Sequence, residues 1–264
     1  MLDQILDFDP LKVTSKITDF IELAVKNASL DGGIVSVSGG LDSAVTLVLT
    51  VRALGSENTL AITMPECDVT SKNDVTDVME LSKTLGVTCD VIEINPILHV
   101  MGGILTDHVE RDRLAFGNLK ARIRMMISYY YANVLNMMVV GTSNKSELLT
   151  GFFTKYGDGG VDIMPLADLY KTQLKKLAKN LEIPEKIIEK TPSPGFWPGQ
   201  TDEAELGLDY TTLDQILFAW NKGISKKELE KRVNVNIDAI NDIIGRVKKN
   251  KHKRETPPIL NLNL

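Results

Sequence analysis

Apolar runs of strand length alternate with helical stretches of about a dozen residues through the first half of this 264-residue chain. Asp31-Gly32-Gly33 turns into the short strand "IVSVS". "LDSAVTLVLTVRAL" reads as a helix, "NTLAITM" as a second strand, Asp74–Leu85 as a helix closed by Gly86, and "VTCDVIEI" as a third strand. Ahead of them, residues 14–27 place apolar side chains at 17, 20, 21, 24 and 25, the spacing of one helix face. Strands separated by helices of this length run parallel through crossover connections, and helices then cover both faces of the sheet. The expected fold is therefore α/β, with a doubly wound, mostly parallel sheet. Asn118–Leu135 adds a longer helix, "MMVVGT" at 137–142 an apolar strand ending in a polar turn, and "PLADLYKTQLKKLAKNL" a helix whose Pro165 suits its first turn.

The later chain changes character. Residues 191–209 hold three prolines and three glycines, with no periodicity over their first half. Loops of that length in compact domains are often lids or binding loops. "TTLDQILFAW", "SKKELEKRV" and "NIDAINDIIGRVKKNKHKR" then form a helical C-terminal section. No linker or repeat intervenes, so a single domain over residues 1–264 is expected.

Thirty basic against thirty-five acidic residues give no support to broad nucleic-acid binding. No run approaches the length of a membrane span, and the N-terminus lacks the basic, then apolar, order of a secretory leader. A cytoplasmic protein is expected. Cys67 and Cys89 are too few for a disulfide scaffold and read as reduced packing residues. His99, His108 and His252 are too scattered to suggest a metal cluster.

The chemistry concentrates first in "SVSGGLDS": Ser36, Val37, Ser38, Gly39, Gly40, Leu41, Asp42 and Ser43, between a strand and a helix. Glycines let phosphate approach the backbone, and a helix N-terminus favours its charge. The lysine of the usual triphosphate loop is missing, and the G-x-G-x-x-G spacing of dinucleotide folds is absent. Asp42 would repel phosphate unless a divalent metal bridged them, an arrangement that suits Mg²⁺. The bland alternative is a tight turn in which Asp42 serves the helix start.

"SGGLDS" resembles the pyrophosphate-binding loop of the ATP pyrophosphatases, the adenine nucleotide alpha-hydrolase-like class, whose fold is Rossmann-like. Four further blocks sharpen the likeness: "GNLKARIRM" (117–125), "GTSNKSELLTGFFTKYGDGGVDIMPLADLYKTQ" (141–173), "TPSPGFWPGQTDEAELG" (191–207) and "HKR" (252–254). Together they resemble the ammonia-dependent NAD synthetase family over nearly the whole chain. The resemblance implies ATP-driven amidation of deamido-NAD through an adenylated carboxylate, giving NAD, AMP and pyrophosphate.

It also implies roles. Ser36 through Ser43, Thr142, Lys171 and Ser193 would contact ATP, and Asp42 and Glu147 would hold Mg²⁺. Arg122, Lys155, Asp162, His252 and Lys253 would bind deamido-NAD, Asp158 would receive ammonium, and Lys171 would neutralise charge near the α-phosphate. Residue by residue, plainer readings exist: a surface acid at Glu147, a solvated loop at 155–162, a basic tail at 248–254. Arg124 stays open. The family implies a homodimer with the dinucleotide at the subunit boundary. With the blocks assigned, no room is left for a glutamine-hydrolysing domain, so free ammonia is the implied donor. The rivals are a related pyrophosphatase with another acceptor and a nucleotide-binding module without chemistry.

Overall fold

The computed structural model describes residues 1–67, 69–105 and 112–262. His108 lies outside them. The chain opens with α1 (Leu2–Leu6) and α2 (Pro10–Asn27), the latter started by Asp9, whose carboxylate accepts from the amides of Leu11 and Lys12. Then come β1 (Gly32–Ser36), α3 (Leu41–Leu54), β2 (Thr59–Thr63), α4 (Lys72–Leu85), β3 (Thr88–Val91), α5 (Asn95–Ile104), α6 (Arg113–Leu135) and β4 (Met137–Val140). Gly86 ends α4 in the left-handed region, as its position after Leu85 leads one to expect. The second half is helical: α7 (Lys145–Thr150), α8 (Lys171–Asn180), α9 (Glu185–Ile188), α10 (Asp202–Leu206), α11 (Tyr210–Asn221), α12 (Lys226–Val233) and α13 (Ile237–Lys249), with a 3₁₀ turn at Lys251–Lys253.

The four strands lie in the order β3-β2-β1-β4, all parallel. Alternation along β1 divides the core. Val35 faces a cluster with Ile17, Ile21, Leu47, Leu174 and Leu177, from α2, α3 and α8. Ile34 faces the opposite cluster, with Leu98 of α5 and Ile123 and Ala132 of α6. Helices thus cover both faces, which is why the strands are apolar throughout rather than alternating. A third cluster joins α11, α12 and α13 to Ile5 and Tyr170. Among the described residues, no helix is long and apolar enough to cross a membrane.

The strands are shorter than the sequence suggests: β3 stops at Val91 and β4 at Val140. One helix needs correction. Pro165 does not open it; residues 165–170 are turns and a bend, and α8 begins at Lys171. Leu166 and Leu169 are buried all the same, so the turns imitate helical spacing while packing both side chains on the core. The start at Lys171 is set by Gln173, whose side chain accepts from the Tyr170 amide at 2.9 Å, and by Ser146, whose hydroxyl accepts from the Lys171 amide at 3.1 Å.

Candidate active site

β1 and β4 are neighbours, while β2 lies on the other side of β1, so the strand order reverses beside β1. Ligands in open α/β sheets bind at the carboxyl ends of strands at such a point. The glycine turn leaves β1 there. Val37 continues the strand, donating to Ile62 O at 2.8 Å with its side chain buried, and Ser36 Oγ lies 2.8 Å from Ser128 Oγ on α6. These two residues anchor the turn to the sheet and to α6. Ser38, Gly39 and Gly40 make the turn itself, with Gly39 at φ +82°. Ser43 braces it from α3: its hydroxyl donates to Gly40 O at 3.0 Å and accepts from the Ser38 amide at 3.2 Å. No side chain caps the N-terminus of α3, so its first amides remain available to an anion.

Asp42, in that first turn, points to α7 and α8. Asn144 caps α7 by accepting from the Glu147 amide at 3.0 Å, and its Nδ2 donates to Asp42 Oδ1 at 2.7 Å. Glu147 returns the capping box by accepting from the Asn144 amide at 3.3 Å. Lys171 Nζ donates to Asp42 Oδ2 and lies 3.6 Å from Glu147 Oε1, over the ring of Tyr210. Asp202, from the start of α10, closes the group. Its Oδ2 accepts from Tyr210 OH at 2.6 Å, while its buried Oδ1 has no hydrogen-bond partner.

The electrostatics follow from burial. Desolvation works against the Lys171 ammonium, yet Asp42 and Glu147 outweigh it, and its pKa is raised. Burial, then the charge of Asp42, pushes the Glu147 carboxyl up, and burial raises Asp202 as well. Three carboxylates share one ammonium, so the pocket suits a further cation. Among the described residues, no group of three or more His, Cys, Asp or Glu is arranged to hold a metal ion. Asp42 and Glu147, both facing Lys171, could supply two oxygen ligands to a cation that draws the rest from phosphate and water.

A second group stands on α6, the 151–162 loop and the C-terminal 3₁₀ turn. Arg122 is exposed and donates to Lys155 O at 3.2 Å; Lys155 Nζ donates to His252 O at 2.8 Å. Lys253 Nζ donates to Gly151 O at 2.7 Å and Phe153 O at 2.9 Å, and burial lowers its pKa while Asp158 opposes that shift. Asp158 Oδ1 accepts from the Thr154 amide at 2.8 Å. Asp162 is engaged at both oxygens, by Tyr129 OH at 2.9 Å and the Val139 amide at 2.8 Å. Arg124, which the sequence left open, donates to Met64 O at 3.1 Å behind β2.

Two further ATP contacts were anticipated at Thr142 and Ser193. Thr142 is half-buried, two residues beyond β4. Ser193 is exposed, and its hydroxyl accepts from the Gly195 amide at 3.1 Å. The loop that carries it lies against α6: Lys120 Nζ donates to Phe196 O at 2.7 Å and pairs with Glu66 at 2.7 Å. A Cβ at Gly117 would sit 2.3 Å from the Phe196 ring, so only glycine admits this contact. Asn144, Asp202 and Tyr210 are additional members of the site. The N-x-x-E spacing of Asn144 and Glu147 was a readable capping signal; Asp202 and Tyr210 carried none.

A family model described as NAD synthase matches residues 13–257. The chain is 46% identical over 248 residues to the NH(3)-dependent NAD(+) synthetase of Methanocaldococcus jannaschii, covering 94% of this chain and 95% of that protein. It is 44% identical over 255 residues to the same enzyme of Methanococcoides burtonii, covering 97% of each. Among solved structures it resembles an NMN synthetase from Francisella tularensis, with TM-score 0.85 and 32% identity over 97% of this chain and 100% of that one. An NH3-dependent NAD synthetase from Campylobacter jejuni, in complex with nitrate, gives TM-score 0.81 and 33% identity over 96% and 100%. On this footing the chain belongs to the NAD synthase family.

Proposed function

We infer that the protein is an ammonia-dependent NAD synthetase, a ligase that uses ATP to amidate deamido-NAD, giving NAD, AMP and pyrophosphate. The observation that carries the site assignment is the meeting of Asp42, Glu147 and Lys171 at the head of the glycine turn. A carboxylate oxygen of deamido-NAD attacks the α-phosphorus of ATP, and the α–β bridging bond breaks to release pyrophosphate. The turn of Ser36 to Ser43 and the open amides of α3 hold the departing phosphates, with Thr142 and Ser193 as further ATP contacts. Lys171 stabilises charge on the α-phosphate. Asp42 and Glu147 would hold Mg²⁺, which would supply charge neutralisation on the phosphate oxygens.

Ammonia then attacks the adenylated carbon, AMP leaves, and the nitrogen loses a proton. Asp158 draws ammonium in; one proton passes to solvent as ammonium becomes ammonia, and Asp158 takes the proton that the nitrogen loses after attack. Arg122, Lys155, Asp162, His252 and Lys253 bind the dinucleotide; guanidinium and ammonium groups match its phosphates. The loop of 191–200, seated on Gly117 and Lys120, keeps water from the activated carbon.

The chain works as one unit over residues 1–264 and as a homodimer. Arg122, Met126, Tyr130 and Val134 are all exposed and four residues apart on α6, so a dinucleotide ligand stands at the end of an apolar stripe. That supports a substrate site at the subunit boundary. The free thiols of Cys67 and Cys89 suit a reducing cytoplasm.

Purified protein with ATP, Mg²⁺, ammonium and deamido-NAD should yield NAD, AMP and pyrophosphate in equal amounts, as read by chromatography. Likeness to an NMN synthetase makes the mononucleotide acid the competing acceptor. Faster amidation of that mononucleotide, or formation of ADP and orthophosphate, would overturn the assignment.

A further inference from the structure

We propose that Lys190 is a positioning residue for the phosphate loop, holding the Gly39–Gly40 peptide so that the Gly40 N–H faces a bound phosphate. The proposal rests on the phosphate-loop reading above. Lys190 is the residue just before the 191–200 loop, 151 positions from the glycine it touches. Its ammonium donates to Gly39 O at 2.8 Å, Asp74 Oδ1 at 2.7 Å and Asp77 Oδ2 at 2.8 Å. All three of its protons are thereby used.

The consequence is geometric. Among the described residues no peptide is cis, and in a trans peptide the carbonyl and the following N–H point in opposite directions. Holding the Gly39 oxygen toward α4 turns the Gly40 N–H the other way, into the turn, where it meets Ser38 Oγ at 3.3 Å. That contact is long for an N–H donor, so a phosphate oxygen can replace it with a stronger one. Gly39 sits at φ +82°, a conformation glycine holds and leaves with little cost. Resistance to a peptide flip must then come from outside the residue, and a flip would present a carbonyl oxygen to the phosphate. Lys190 supplies that resistance. Because it is also the first neighbour of the loop at 191–200, it ties movement of that loop to the shape of the anion site.

The simpler role for Lys190 is to neutralise the acids of α4. Lys186 separates the two: it pairs with Asp77 at 2.7 Å and Glu80 at 2.6 Å, and Gly39 is not among its partners. The test titrates the full chain with α,β-methylene ATP and Mg²⁺ by calorimetry, alongside KM values for ATP and deamido-NAD and a melting curve. Lys190→Met should weaken the analogue and raise the KM for ATP roughly tenfold, the loss of one charge-assisted contact. The KM for deamido-NAD should hold, and Lys190→Arg should recover most of the affinity. Lys186→Met should bind like the parent. If the methionine variant does not fold, Lys190→Gln carries the same comparison. Lys190→Met, or Lys190→Gln in its place, binding within twofold of the parent overturns the inference alone, as does a Lys186→Met loss of equal size. A parent that does not bind the analogue at all removes the phosphate-loop reading, and this inference with it.

Discussion

Glu147 shows why a single carboxylate cannot be read from its neighbours in sequence. On a surface helix it would be dispensable; here it caps α7, faces Lys171 and is raised by burial and Asp42. Glu147→Ala should cut turnover roughly a hundredfold and raise the Mg²⁺ requirement, because one of two carboxylates fit for the metal is gone. Parental turnover at limiting Mg²⁺ would remove Glu147 from the metal site. Asp214 offers a separate test, since it is fully buried beneath the same helices. Its oxygens accept from Ser146 Oγ at 2.5 Å and the Thr172 amide at 2.8 Å, and burial pushes its pKa up to about 6. A carboxyl raised in the folded state binds its proton more tightly there than in the unfolded chain. Its contribution is therefore full below pH 4 and lost as pH rises toward 6, about 3 kcal/mol in all. Urea unfolding across that window should show the stability advantage of the parent over Asp214→Asn shrinking as pH rises. A constant gap would mean that Asp214 ionises at its ordinary pH.

At the level of elements, the loop at 191–200 depends on α6, the helix that also carries Arg122. Its Phe196 packs where Gly117 lacks a side chain, and Lys120 holds the Phe196 carbonyl. Gly117→Val should displace the ring, and its overpacking should cost about 1–3 kcal/mol. The expected signature is uncoupling: AMP and acid formed in excess of NAD, as water reaches the activated carbon. Product ratios equal to those of the parent would show that this contact is not part of the closure. The strands and the α3 and α4 helices were legible because both faces of the sheet are buried and Gly86 marks a helix end. The start of α8 was not, because the turns at 165–170 bury Leu166 and Leu169 at helical intervals. The helix α5 was hidden by the Gly102-Gly103 pair near its end, which weakens its helical signal. The glycine turn was readable as an anion site, whereas Asp202 and Tyr210 reach Lys171 only after α10 and α11 have folded over it. No local pattern records a contact of that kind.

At the scale of the molecule, the exposed stripe of Met126, Tyr130 and Val134 sets a prediction about assembly. Tyr130→Arg should shift the protein toward monomer in sedimentation and raise the KM for deamido-NAD roughly tenfold, while ATP binding holds, because the stripe leads to Arg122, the residue proposed above as a dinucleotide contact. An unchanged sedimentation coefficient would place the subunit contact elsewhere. The far end of the chain contributes differently. Lys253 and Arg254 together donate to the carbonyls of Leu148, Leu149, Gly151 and Phe153, and Arg254 also reaches Val247. The carbonyls at the exit of α7 thus find their donors 100 to 106 positions further along the chain. As the ribosome reads from the N-terminus, the sheet and the glycine turn emerge well before these donors do. A nascent chain stopped short of residue 253 would leave the exit of α7 without its fastening.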